Sequence, residues 1–187
     1  MPWYTILLGA LTLLYPVLVY QGLTHFEPRW LAPLLLVVVL RAAVVKRGGS
    51  RVLPWAMALG ALALGLAALL GNSALPLKLY PVAVNLALLG WFGFSLRKGG
   101  MPVVEFLARL REPDLPPAGV RYTRRVTQLW CAFFIANASM ALITVLYMSD
   151  AAWALYNGLI AYLLIGALML GEWCWRQHLH RAQAKAP

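Results

Sequence analysis

The chain has 187 residues, of which 62% are hydrophobic and only 12% are charged. Soluble domains carry about 25% charged residues, so this composition excludes an ordinary soluble domain and indicates a membrane protein. The net charge of +10 lies between long apolar runs, which argues against nucleic acid as a partner and favours membrane lipids with anionic headgroups.

Six apolar runs are long enough, or nearly long enough, to cross a bilayer core that needs about 20 residues. The first lacks a basic region and a cleavage site, so we interpret it as a retained span and not as a signal peptide. The second run is the shortest, and it can cross the bilayer only if the Arg41 side chain extends its charged group to the membrane interface. The predicted spans are residues 3–22, 30–45, 52–70, 79–96, 126–148 and 151–175.

Lysine and arginine are distributed unevenly between the connectors of these spans. With six spans, one side receives 14 of the 16 basic residues and the other receives only Arg29 and Lys78. Such an excess marks the cytoplasmic side. The predicted fold is therefore an all-α membrane protein with six transmembrane helices in a single domain, residues 1–175. Both termini are expected in the cytoplasm, with residues 176–187 as a tail.

The connector between the fourth and fifth spans begins with a short amphipathic segment, residues 102–112. Its apolar positions follow the i, i+3, i+4, i+7 rule of a helix face. These positions are Val103, Phe106, Leu107 and Leu110. Glu105 and Arg109 are spaced for an i, i+4 ion pair on the opposite, polar face. We predict a helix that lies in the membrane interface with its apolar side down.

After this helix, Pro113, Pro116 and Pro117 are expected to prevent helix continuation and to favour an extended path. Gly119 permits a turn before the fifth span. Such a segment, held against the cytoplasmic surface, is the predicted docking surface for a protein partner or a lipid headgroup. Its candidate binding residues are Arg109, Arg111, Arg121, Arg124 and Arg125.

Polar side chains within apolar spans are costly and are therefore candidates for function. The candidate ligand-binding residues are Asn85, Asn137, Tyr156 and Asn157. One interpretation is hydrogen bonding between helices, which is worth about 0.6–2 kcal/mol for each bond. The alternative is a polar cavity for a lipid or a small molecule. The sequence leaves both open.

Glu172 is the single acidic residue within a predicted span. We expect it to pair with Arg41, Arg124 or Arg125, which would neutralise both charges. The alternative is a proton acceptor in transport or acyl chemistry, which makes Glu172 a weak catalytic candidate. Cys174 shares a helix face with His178, but no further ligand set accompanies them. No metal and no cofactor are expected.

Three apolar runs follow one another in the second half of the chain: LYPVAVNLALLGWFGFSL, TRRVTQLWCAFFIANASMAL and WALYNGLIAYLLIGAL. The middle run contains Trp130, Phe133, Phe134 and Asn137. In this order of elements the second half resembles the YciB/IspZ family of bacterial inner-membrane proteins, also called intracellular septation protein A. The resemblance implies an inner-membrane location and an envelope role in cell division or cell-wall synthesis, exerted through protein partners. It supplies no catalytic residue.

The connector is richer in proline and arginine than that family leads us to expect. In this respect the chain looks more like uncharacterised membrane proteins encoded near fatty-acid or aryl-polyene biosynthesis genes, which implies partners in acyl-lipid synthesis. The leading hypothesis is a non-enzymatic envelope factor that binds lipid and protein partners at its cytoplasmic face. The alternatives are a lipid or small-molecule transporter that uses the polar groups of spans four to six, and a membrane enzyme that acts on acyl groups.

Overall fold

The computed structural model describes the backbone of residues 3–37 and 52–184 and the side chains of residues 9–37 and 57–177. Within these ranges the chain forms helices joined by short loops, without a strand, so the all-α prediction is confirmed there. The helices are α1 (Trp3–Leu23), α2 (Pro28–Leu31), α3 (Val52–Gly71), α4 (Leu75–Ser95), α5 (Val103–Arg109), α6 (Pro117–Tyr147), α7 (Asp150–Leu155) and α8 (Ala161–Ala184). A 3-10 turn (Ala32–Leu35) follows α2, and a π-helical turn (Tyr156–Ile160) joins α7 to α8.

Among the described residues, three helical segments are long and apolar enough to cross a membrane: Leu75–Ser95, Pro117–Tyr147 and Asp150–Gln177. The last of these runs without a break through the π-helical turn. Two further apolar helices, α1 and α3, have 21 and 20 residues. These five helices overlap five of the six predicted spans.

The second predicted span, residues 30–45, is described only in its first half. That half contains the end of α2, the 3-10 turn and the two residues that follow the turn. Pro28 and Pro33 each stand in the first turn of one of these short elements, where the missing proline N–H costs no intrahelical bond. Residues 38–45, including Arg41, lie outside the described residues.

Helix α6, which corresponds to the fifth predicted span, begins at Pro117, whereas that span was predicted to begin at residue 126. The expected extended path therefore ends at Pro116, which has φ −66° and ψ 157°, and the prediction of a turn at Gly119 was wrong. Pro117 occupies the first helical position, where its fixed φ suits the helix. As a result Arg121, Arg124 and Arg125 lie on the first turns of α6 and not on an extended segment.

The core forms where α1 and α7 pack on the first turns of α4. Tyr15, Leu77 and Trp153 belong to one cluster of buried side chains. The Tyr15 hydroxyl donates to the carbonyl oxygen of Leu77 at 2.9 Å, and Trp153 Nε1 donates to the carbonyl oxygen of Lys78 at 3.2 Å. Further along, α4 packs extensively on α6 and also contacts α3. This arrangement brings the polar residues of α4 and α6 together.

Candidate functional site

Three of the four predicted ligand-binding residues form one chain of hydrogen bonds inside the bundle. Asn137 Nδ2 donates to Asn85 Oδ1 at 3.0 Å, and the Tyr156 hydroxyl donates to Asn137 Oδ1 at 2.8 Å. Asn85 Nδ2 donates in turn to the carbonyl oxygen of Pro81, one turn earlier in α4, at 2.8 Å. All three side chains are buried. We call Asn85, Asn137 and Tyr156 the amide–tyrosine chain.

Asn157, the fourth predicted residue, forms a separate contact with α6. Its Nδ2 donates to the carbonyl oxygen of Trp153 at 2.9 Å and to Thr144 Oγ1 at 3.3 Å. Thr144 was not among the predicted residues, although it lies seven positions after Asn137 and therefore on the same helix face. This spacing was the signal by which it could have been found.

The π-helical turn explains how the neighbours Tyr156 and Asn157 both point inward. Ala161 N donates to the carbonyl oxygen of Tyr156, the i to i+5 bond of a π-helix. Within this turn, Gly158 lies close to α1, because a Cβ added there would stand 3.0 Å from Val17 Cγ2. Single π-helical turns within α-helices occur frequently at functional sites.

The amide–tyrosine chain satisfies its members with one another and so favours the first interpretation of the polar residues, hydrogen bonding between helices. A small cleft of about 40 Å³ lies elsewhere, between α3 and α4. It is lined by residues such as Gly60, Ala61 and Ala83 and by none of the four predicted residues. That volume accommodates water but not an acyl chain.

The i, i+4 pair predicted in the short helix α5 is confirmed. Arg109 Nε donates to Glu105 Oε1 at 2.9 Å, and Arg109 also donates through Nη1 to the carbonyl oxygen of Pro113 at 2.8 Å. Glu105 is only 6% exposed, however, so the predicted polar face of this helix is buried at this position. It is buried because α5 packs on α6, where Val104 N donates to Thr127 Oγ1 at 3.4 Å.

The outer face of α5 carries the apolar side chains that the sequence assigned to the membrane interface. Phe106, Leu107 and Leu110 are exposed, and only Val103 of the predicted apolar set is buried. The helix therefore attaches to α6 through Val103 and Glu105 and leaves an apolar surface open. This geometry suits a helix that lies in an interface.

Removal of Arg109 is expected to destabilise the protein more than removal of its partner. The Glu105 side chain is 8% exposed and that of Arg109 32%, so Arg109→Leu leaves a buried carboxylate without its cation, whereas Glu105→Leu leaves an arginine that still donates to Pro113. We expect Arg109→Leu to lower the free energy of unfolding by about 2 kcal/mol and Glu105→Leu by less. Detergent-based unfolding of both single variants and the double variant measures the coupling. If the double variant loses as much free energy of unfolding as the two single variants lose together, Glu105 and Arg109 are not coupled, which contradicts this interpretation.

Glu172 has other partners than those predicted. The Tyr122 hydroxyl donates to Glu172 Oε1 at 3.2 Å, and Arg176 Nε lies 3.8 Å from the same oxygen. The expected pairs with Arg124 and Arg125 were therefore wrong, and Arg41 lies outside the described residues. Arg124 instead donates to the carbonyl oxygen of Leu96 at 2.5 Å, because the last carbonyl groups of a helix lack intrahelical partners.

The two ends of the bundle differ in how their charges are compensated. At the end where α4 begins, Arg29 pairs with Glu27 at 2.6 Å and Lys78 pairs with Asp150. At the other end, which we call the arginine end, α4 terminates and α6 begins. Four exposed arginine side chains there have no hydrogen bond or ion pair with any other described residue. They are Arg97, Arg111, Arg121 and Arg125.

The described part of the chain is thus an all-helical protein with three helices that can cross a membrane, a buried amide–tyrosine chain and one basic end. No protein-family model, curated protein or solved structure matches the chain. Among the residues with described side chains, no group of three or more histidine, cysteine, aspartate or glutamate side chains is placed to hold a metal ion.

Proposed function

We propose that this chain is a six-span protein of the bacterial inner membrane, similar to the YciB/IspZ family, with both termini in the cytoplasm. It acts as a non-enzymatic envelope factor that binds lipid and protein partners at the arginine end. The observation that carries this proposal is the difference between the two ends. Arg29 and Lys78 have carboxylate partners at one end, whereas Arg111, Arg121 and Arg125 at the other are exposed and uncompensated.

Uncompensated arginines beside apolar helices fit the cytoplasmic side of a membrane. Each such cation gains about 1 kcal/mol from the negative surface potential of anionic lipids. The guanidinium group also offers a fork of N–H donors that matches a carboxylate or a phosphate. Because Arg111, Arg121 and Arg125 do not use these donors within the described structure, we assign them to the carboxylates of a protein partner. Division, cell-wall and acyl-lipid synthesis proteins are the partner classes that the resemblance implies.

The proposal predicts that the triple substitution Arg111→Gln, Arg121→Gln and Arg125→Gln abolishes function in cells. Glutamine keeps the polarity of these side chains and removes their charge, so folding is expected to be unaffected. The measurement is complementation of a deletion strain, scored by cell length and by sensitivity to envelope stress at equal protein abundance. Glu172→Gln is the matched control. It is expected to complement, because glutamine still accepts from Tyr122. Loss of function in Glu172→Gln alone would refute the proposal.

A second candidate function, transport of a lipid or a small molecule, is favoured by one observation. The π-helical turn lies within a segment long enough to cross a membrane and carries two of its polar side chains, Tyr156 and Asn157. A π-helical turn that rearranges to a regular helix would release them from Asn137 and Thr144. For a transporter, Tyr156→Phe would abolish uptake or efflux while the arginine variants remain active, which reverses the order expected above.

A further inference from the structure

The end of α4 carries three cationic side chains at one place. Arg97 and Lys98 follow α4 directly, and the bond from Arg124 to the Leu96 carbonyl brings a third cation from α6 to the same turn. All three are exposed. We propose that Arg97, Lys98 and Arg124, here called the α4 cation cluster, bind the phosphate headgroup of an anionic phospholipid. This inference rests on the proposed function and names one lipid site within it.

The turn that presents the cluster has a defined conformation. Gly99 has a φ of +78°, which favours glycine, and Gly100 N donates to the carbonyl oxygen of Arg97 at 3.0 Å. A Cβ added to Gly100 would lie 2.8 Å from the backbone oxygen of Ser95, so only glycine fits there. Ser95 Oγ also accepts from Val103 N at 3.1 Å. The turn is thereby tied to both α4 and α5, which lowers the entropic cost of ligand binding.

The charge of the cluster is not compensated by a described carboxylate. The acidic residues of the arginine end that form ion pairs are Glu105, with Arg109, and Glu172, with Arg176. The negative end of the α4 dipole stabilises the cations where they are. The carbonyl bond uses one of the five N–H donors of Arg124, so the others remain for a phosphate.

A lipid fits this cluster better than free phosphate because apolar surface adjoins it. The guanidinium of Arg97 stands 4.0 Å from the centre of the Phe94 ring, and Phe94 is 63% exposed. Trp91 is exposed one turn earlier in α4. With the phosphate at Arg97, an acyl chain lies along Phe94 and Trp91 on the surface of a helix that can cross the bilayer. Basic pockets at the cytoplasmic ends of transmembrane helices bind anionic headgroups in this way.

The test is native mass spectrometry of the full chain in detergent, titrated with phosphatidylglycerol, cardiolipin or phosphatidylcholine. We expect one anionic lipid to be retained in an excess of phosphatidylcholine. The triple substitution Arg97→Gln, Lys98→Gln and Arg124→Gln is expected to weaken this retention on the order of 100-fold. Glutamine at position 124 removes the charge and keeps an amide donor near this end of α4.

The triple variant of Arg111, Arg121 and Arg125 is the matched control, because it removes the same charge from the same end. We expect it to retain the lipid within about threefold of the unmodified chain. If both triple variants lose lipid retention equally, diffuse electrostatic attraction explains the binding and the proposed site is overturned. If both variants retain the lipid, the proposed site is overturned as well. Displacement of the lipid by equimolar inorganic phosphate would overturn the assignment to a lipid.

A conservative variant keeps the proposal testable if the glutamine variant of the cluster does not fold. Arg97→Lys with Arg124→Lys preserves the charge and removes both guanidinium forks. We expect retention to fall by about tenfold, between the unmodified chain and the glutamine variant. Unchanged retention in this folded variant would overturn the role of the two arginines. Circular dichroism of each variant reports whether its helices are intact.

Labelling in intact cells separates failure of this site from failure of the proposed function. In a chain with Cys131→Ser and Cys174→Ser, single cysteines replace Asp114 at the arginine end and Ser149 at the opposite end. A membrane-impermeant maleimide is expected to label position 149 and not position 114. The reverse result would refute the cytoplasmic location of the arginine end and with it the proposed function. Lipid retention in detergent would still test independently whether the α4 cation cluster binds a lipid.

Discussion

Replacement of Asn137 with leucine is expected to lower the free energy of unfolding by about 1–3 kcal/mol. Asn137 is the central member of the amide–tyrosine chain, since it donates to Asn85 and accepts from Tyr156. Leucine leaves both neighbours buried without this partner. Unfolding in mixed detergent micelles measures the loss. Ser139→Ala is the control on the same helix, because the Ser139 hydroxyl is exposed and, among the described residues, bonds only to the Ile135 carbonyl of its own helix.

A triple variant separates the stability that the hydrogen bonds contribute from the stability that is lost when buried polar groups have no partner. The variant combines Asn85→Leu, Asn137→Leu and Tyr156→Phe, so no polar group of the amide–tyrosine chain is left without a partner. We therefore expect it to recover most of the stability that Asn137→Leu loses. Hydrogen bonds between transmembrane helices contribute only about 0.6 kcal/mol on average, which agrees with this recovery. If Asn137→Leu and Ser139→Ala lower the free energy of unfolding equally little, the amide–tyrosine chain does not contribute to stability.

Trp153→Ala is expected to produce the largest loss of stability, about 3–5 kcal/mol. Trp153 is 1% exposed and lies in the cluster with Tyr15 and Leu77, where α1 and α7 meet α4. Its removal opens a cavity and deletes the bond to the Lys78 carbonyl. Within a membrane the loss is chiefly one of packing contacts, because lipid is as apolar as the core. Trp173→Ala is the control, since Trp173 is 51% exposed.

Trp153→Phe separates the two contributions of this side chain. Phenylalanine fills most of the space but lacks the N–H donor, so we expect a loss between those of Trp153→Ala and the Trp173 control. The same unfolding measurement applies to all three variants. Equal stability of Trp153→Ala and Trp173→Ala would show that this junction of α1, α4 and α7 is not the principal core.

Several features of this protein followed from local sequence alone. The long helices of the described residues follow from long apolar runs, and the ion pair of Glu105 and Arg109 follows from their i, i+4 spacing within one helix. Asn85, Asn137, Tyr156 and Asn157 were identified because polar groups within apolar spans are costly. Each of these predictions depends on spacing or composition along one stretch of chain. The early start of α6 was missed because a proline that breaks one helix also suits the first turn of the next.

Only the tertiary structure decided which groups meet. The sequence marked Asn85, Asn137 and Tyr156 as costly polar groups and left open whether other helices or a ligand satisfy them. In the structure they are partners of one another, because α4 packs on α6. Glu105 is buried because α5 docks on α6, although its helix position marked it as polar. Arg124 bonds to the Leu96 carbonyl and not to Glu172. The physical reason is the short range of a hydrogen bond, about 3 Å. Such contacts depend on where one helix places its groups against another, and spacing within a single helix does not determine that.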